Sequence, residues 1–445
     1  MSDSPISKIE SRGKSDYIFK LAFISNFLGL IAFSLYHIIR FGGSDFSTAM
    51  LFFQQLLVFL DLNPKAIDDV VFKDFGLLLK ILLPVNLLSL ILTFLFFYLF
   101  YFFPVFSFWF SVVTSLLISL CASVYFALFE NYLASGAILL IVCFFIFLLA
   151  LYGKNHIKVA FFFKSTLFIL YKVRWIVVLH LSLLFIHVFL APLLFCPTDH
   201  LLDSRENISL WSFSFQMAYL NFSSGWIESS ITIFVQMVST TLICGHLYPQ
   251  TGTTSLTSAF KRSFKLHLGP IFQISLILAI INTMLGSIGL ASDSLLAYWI
   301  FLIIASYLDL FIRIIGINIS LLNKGVSGAS YATFALFKRC PKPVISILHL
   351  TVLSSLCPVL FSLVITDTVT NIFHTYSNVP EEFVLLASII RCKSLLVLSM
   401  TFSIVCLSVY ILYKNDKNCI QHLPGYDELM LPLKKGASEE KATAI

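Results

Sequence analysis

Charge is what this chain of 445 residues has least of: 12% of it is Asp, Glu, Lys or Arg, against 58% hydrophobic. That is about half the charged share of a soluble domain, and a single water-soluble core has no room for so much apolar surface. Ile81 to Phe103 and Val105 to Phe129 carry no charge at all, and an apolar run of about 18 residues or more reads as a bilayer-crossing helix. Strict apolar/polar alternation is missing too, which argues against a membrane β-barrel. In hydrocarbon the helix is then the structure that satisfies its own backbone. The nine cysteines (121, 143, 196, 244, 340, 357, 392, 406 and 419) make no CxxC pair, so they indicate neither a disulfide framework nor a zinc site and read as small buried apolar residues. HExxH, GxSxG, a Walker loop and GxGxxG in the right context are also missing, and the loops are too short for a soluble catalytic domain. The expectation is a chain that is not an enzyme and takes no metal or cofactor.

What is present is a series of apolar segments. They predict an all-α, polytopic membrane protein of about ten transmembrane helices, at about 21–39, 81–103, 105–129, 132–152, 175–195, 226–248, 270–290, 295–317, 343–366 and 394–413. Pro104 and Glu130-Asn131 mark tight hairpins. Leu210 to Phe222 is apolar but short for a span, and reads as a re-entrant or interfacial piece leading into the sixth helix. With the N-terminus inside, twenty of the 29 Lys and Arg fall on inside segments and five on outside ones, which predicts both termini in the cytoplasm. The same accounting explains the net charge of +6 without nucleic acid as a partner. The domains are then a cytoplasmic tail over 1–20, a helical domain over 21–413 and a second cytoplasmic tail over 414–445. Inside loops at about 153–174, 249–269 and 323–342 interleave Lys and Arg with aromatic residues, as basic amphipathic helices on an anionic leaflet do. Sequons at Asn207 and Asn221 fall outside and are glycosylation candidates.

Ionisable side chains in hydrocarbon cost at least about 2.5–3.5 kcal/mol each, so the few there are repay attention. Asp309 and Arg313 stand four apart with the acid first, the favourable spacing for an intrahelical pair. Glu228 has no basic residue in its own helix. It follows Trp226, with Trp211 and Tyr219 in the short apolar segment before it. These residues are the candidate cation site near the outer face, although an interfacial Glu in an aromatic belt has the same pattern. Gln236, with Asn86, Gln273 and Asn282, reads either as interhelical glue or as the lining of a path.

Several local patterns converge. Thr257 to Gly269 followed by Ser275 to Ile280, Gly328 to Arg339, Trp226 with Gln236-Met237 ten residues on, and His156 to Ala160 with Lys164 together resemble the choline transporter-like family, nearer its fungal branch. The resemblance covers about 150–345. It implies a basic inside helix and a glycine turn at Gly269 before the seventh span, and facilitated movement of choline or a related amine. Two departures touch the sixth helix. Glu228 lies two residues after Trp226, where the family has its acid or amide at three, and Val238-Ser-Thr-Thr241 stands in place of Thr-x-Ala-Gly. The partners so implied are the lipid bilayer and a small organic cation such as choline, at the plasma membrane or an endomembrane. The alternative is a non-transporting scaffold that recruits cytoplasmic trafficking or membrane-remodelling proteins through its basic loops and its C-terminal tail.

Overall fold

The computed structural model describes residues 14–41, 101–128, 156–180, 209–248, 255–291, 311–339 and 401–414, with isolated positions at 87, 88, 91, 92, 95, 97–99, 132, 135, 136, 139, 142, 143, 146, 147, 182, 183, 186, 201, 308 and 423. Among them every regular element is helical. The elements are α1 (Lys14–Phe41), α2 (Pro104–Leu128), α3 (His156–Lys172), α4 (Leu210–Leu247), α5 (Leu256–Arg262), a π-helical turn (Ser263–His267), α6 (Leu268–Ala291), α7 (Phe311–Leu322), α8 (Val326–Arg339) and α9 (Thr401–Lys414). Four helical segments are long and apolar enough to cross a bilayer: Tyr17–Tyr36, Pro104–Cys121, Trp211–Leu247 and Leu256–Ile281. They fit a membrane-embedded protein.

The helix α4 organises the rest. Its 38 residues make a rod of about 57 Å. Ser209 caps its start, the side chain accepting from the Ser212 N–H. This corrects one expectation: Leu210 to Phe222 is no separate re-entrant piece but the first third of α4, continuous with the helix expected from 226. No glycine or proline interrupts the stretch until Gly225, and Gly225 keeps the helix while letting α6 approach, since a Cβ there would sit 3.9 Å from the Ala279 Cβ. Small residues at a crossing are how helices pack closely in lipid.

Along α6 a second expectation fails. Gly269 makes no turn: α5, the π turn and α6 form one uninterrupted helix, so the basic segment and the apolar helix after it are continuous. The Ser263 N–H still reaches the Ala259 and Phe260 carbonyls, and the local widening absorbs the change in register before Pro270, which has no N–H to give.

Glu130 and Asn131, where a hairpin was expected, lie outside the described residues, but residues on either side of them meet. Ser123 Oγ and Ser135 Oγ are 3.0 Å apart, whereas twelve residues of straight helix would hold them about 18 Å apart. At Pro104 the joint is tight: Phe103 N–H bonds to the Leu99 carbonyl and Ser107 N–H to the Phe103 carbonyl, so Phe103 alone links two helical stretches. α7 and α8 also fold back on each other, Asn318 Nδ2 donating to Thr333 Oγ1 at 2.8 Å. The turn between them uses Asn323 at φ 51°, a left-handed position that Asn tolerates at a helix end.

The largest core cluster gathers α3, the end of α4, α7 and α9. Phe162 meets Tyr410 edge-on at 5.3 Å, and Phe163 meets Phe402 at 5.2 Å. The aromatic face of α3, expected against the leaflet, is therefore turned into the protein. Lys172 lies over the Phe168 ring at 5.6 Å, which keeps its stem against apolar surface and its charge outward.

Candidate functional site

A helix buried on all sides cannot be polar by accident, and α4 is buried without interruption from Val235 to Gly245. It crosses its neighbours through hydroxyl and amide groups. Ser223 Oγ donates to Asn26 Oδ1 of α1 at 2.9 Å. Ser230 Oγ donates to the Trp226 carbonyl and lies 2.6 Å from Ser275 Oγ of α6. Gln236 Nε2 donates to the Arg313 carbonyl of α7 at 2.8 Å. Thr240 Oγ1 is 3.3 Å from Ser408 Oγ of α9, and Thr241 Oγ1 is 2.8 Å from Ser320 Oγ of α7. One helix thus reaches four others through short polar side chains, a seam of interhelical hydrogen bonds worth about 0.6 kcal/mol each on average.

The residues expected at a cation site fall into different places. Trp226 is buried, its Nε1 donating to the Phe272 carbonyl at 3.0 Å. Phe23 meets it edge-on at 5.6 Å, Phe222 lies tilted at 5.7 Å, and Phe23 and Phe272 stack at 4.0 Å. Its surroundings are therefore filled by the chain's own rings. Glu228 is exposed, and two residues of helix turn it about 200° away from Trp226. Tyr219 shares the Trp226 side of α4 and packs on α1, 5.6 Å from Phe33 and with its hydroxyl against Gly29. Trp211 is 87% exposed and about 22 Å along the helix from Trp226. Gln236 is fully buried and held on α7. So Trp226 and Tyr219 are brought to the α1 side together, while Glu228, Trp211 and Gln236 each face elsewhere.

Arg313 is half-buried on α7; its expected partner Asp309 and the candidate Asn207 lie outside the described residues. Asn221 is exposed but sits inside α4, not in the surface loop that a glycosylation acceptor occupies. Asn318 is buried against Thr333. Among the described residues no group of three or more His, Cys, Asp and Glu is gathered for a metal ion.

What sequence reasoning missed is the seam. Its signal was Ser223 and Ser230 at heptad spacing, and then Ser239-Thr-Thr241, the stretch noted only as a departure from a family pattern. No protein-family model matches the chain, and no curated protein matches it.

Proposed function

We propose that this chain is a facilitative transporter of a small organic cation such as choline, a ten-helix protein of the choline transporter-like kind with both termini in the cytoplasm of the plasma membrane. One observation supports the reading above the rest. Among the described side chains Glu228 is the one carboxylate, and it stands exposed on an apolar helix, where a charge is costly and serves a purpose by default. A quaternary ammonium has no hydrogen-bond donor on its head and is held by charge and by aromatic faces. Inward passage of one positive charge gains about 2.3 kcal/mol per 100 mV, so no coupling ion is needed. The test is uptake of labelled choline by cells lacking their own transporter. The parent chain should take it up, and Glu228→Gln at equal surface level should lower the initial rate about tenfold, the loss of about 1.4 kcal/mol. No uptake by parent chain at the surface removes the proposal.

A second reading rests on the filled surroundings of Trp226. A ring whose neighbours are Phe23, Phe222 and Phe272 gives its face to no ligand. This favours a scaffold whose basic helices α3, α5 and α8, with the C-terminal tail, recruit cytoplasmic partners. Under it choline uptake is absent, and replacing Lys261 and Lys265 by Gln releases the partner while the chain stays in its membrane.

A further inference from the structure

The length of α4 sets the problem. A hydrocarbon core of about 30 Å, crossed even at the steepest usual tilt of about 40°, takes up about 26 residues of helix. α4 has 38, so at least about a dozen lie outside. Its neighbours say which. α1 runs antiparallel to α4, with Asn26 on Ser223, Phe23 on Trp226 and Gly29 on Tyr219. Extending that register sets Tyr17 beside about residue 232 of α4 and Tyr36 beside about residue 213. Both tyrosines are exposed, at 66% and 48%. They stand about 28 Å apart along the helix, close to the thickness of the hydrocarbon, and tyrosine gathers at its two edges. The 87% exposed Trp211 falls at the Tyr36 edge.

The cations gather at the other edge and beyond it. Lys20, half-buried on α1, lies a turn inside the Tyr17 level and extends toward it, because helical side chains lean to the N-terminus. α6 is antiparallel to α4 through Gly225 with Ala279 and Ser230 with Ser275; continued through the π turn, that register carries exposed Lys265 and Lys261 to about residues 240 and 244 of α4. On α7, Arg313 is level with Gln236, and the fold-back of α8, with Phe337 on Phe311, brings exposed Lys338 to that same height. Tyr17 of α1 sets the edge near residue 232 of α4, and the cations of α8 and of the α5–α6 helix lie just beyond it, near residues 236, 240 and 244.

We propose that the bilayer's hydrocarbon covers α4 from about residue 213 to 232, that Lys20 and Lys338 rest on anionic phospholipid headgroups at that edge, and that the rest of α4 with α5, the π turn and α8 stands in water as a basic helical platform. The buried seam from Gln236 to Thr241 is then the interior of the platform. This holds whether or not the chain transports anything.

The test uses the full chain in phosphatidylcholine vesicles with and without one-fifth phosphatidylserine, in a background whose nine cysteines are replaced and which melts like the parent. Leu28→Cys and Met284→Cys, both exposed and both near the level of residue 221, should resist a water-soluble maleimide. Phe264→Cys and Tyr331→Cys, exposed near the level of residue 241, should react at least tenfold faster. The reverse pattern, or equal rates, overturns the placement. Phosphatidylserine should raise the melting temperature of the parent, and Lys20→Gln with Lys338→Gln should remove at least half of that rise while Lys→Arg at both positions keeps it. A rise unchanged by the Gln pair overturns the headgroup contact.

Discussion

The two halves of α4 are one helix covered in two ways. From Trp211 to Ser229 most positions are exposed or half-buried, and the small core there is Leu30, Leu201, Leu220 and Ile227. From Val235 to Gly245 every residue is buried, and Val238, Leu242, Ile243, Cys244 and Leu247 enter the largest cluster of the molecule. Polar residues occur in both halves, and what differs is what meets them. The exposed half carries Ser212, Ser214, Gln216, Asn221, Ser224, Glu228 and Ser229 at exposed or half-buried positions among its apolar and aromatic residues, whereas the polar residues of the enclosed half, Gln236, Ser239, Thr240 and Thr241, are all buried. Helices around that half offer partners to the Thr240 and Thr241 hydroxyls and to Gln236 Nε2, groups that hydrocarbon would leave bare, while Ser239 Oγ and Gln236 Oε1 are buried there without one. Enclosure by protein decides where this chain can bury polar groups.

The largest effect expected from breaking this comparison sits at the join, at Trp226. As a packed side chain it should lose about 3–5 kcal/mol of stability on Trp226→Ala, while Trp226→Phe, which gives up the bond to the Phe272 carbonyl, should lose only about 1 kcal/mol. Unfolding in detergent micelles measures both. An alanine variant as stable as the parent would mean that the ring is held for a ligand and not for the fold.

Smaller is the effect within the enclosed half. Thr241→Val keeps the volume and removes the hydroxyl that meets Ser320. Ser320 retains its bond to the Met237 carbonyl at 3.1 Å, so no buried donor is stranded and the cost should be about 1 kcal/mol. Combined with Ser320→Ala, the coupling between the two should be about 0.6 kcal/mol. A coupling of zero would say that the seam is bystander polarity, and that the two halves differ only in burial.

How much of this was legible depended on what hydropathy can see. Helix type and the membrane setting were plain because uncharged runs admit few alternatives, and the start of α2 fell where Pro104 suggested. The join at Phe222 was missed because a window about one bilayer wide cannot represent a helix of 38 residues. The continuity through Gly269 was missed because glycine after a basic run looks like a stop, and only the packing of Ile271 and Ile274 against α4 reveals that the helix goes on. For the candidate site, residue types were visible and directions were not: Trp226 and Glu228 are two residues apart in the letters and on opposite sides of the helix. The Asn318–Thr333 and Thr240–Ser408 contacts join residues 15 and 168 apart, which nothing in a local pattern announces.

The smallest effect tests the exposed half and can change sign. A Cβ at Gly29 would lie 2.7 Å from the Tyr219 hydroxyl, too close without movement, so Gly29→Ala incurs overpacking of about 1–3 kcal/mol. Against it stands the helix preference of alanine over glycine, about 1 kcal/mol. Because the obstruction is the tip of one ring on the loosely covered side of α4, the hydroxyl should swing aside, and the net cost should stay below about 1 kcal/mol. In a Tyr219→Phe background the obstruction is gone, and the same Gly29→Ala should stabilise the chain by up to about 1 kcal/mol. That reversal, read as a melting difference between the single and double variants, is what a loosely packed half permits. If Gly29→Ala instead unfolds the chain and Tyr219→Phe does not rescue it, α1 grips α4 as tightly as the enclosed half is gripped, and the contrast between the halves lies in their surroundings alone.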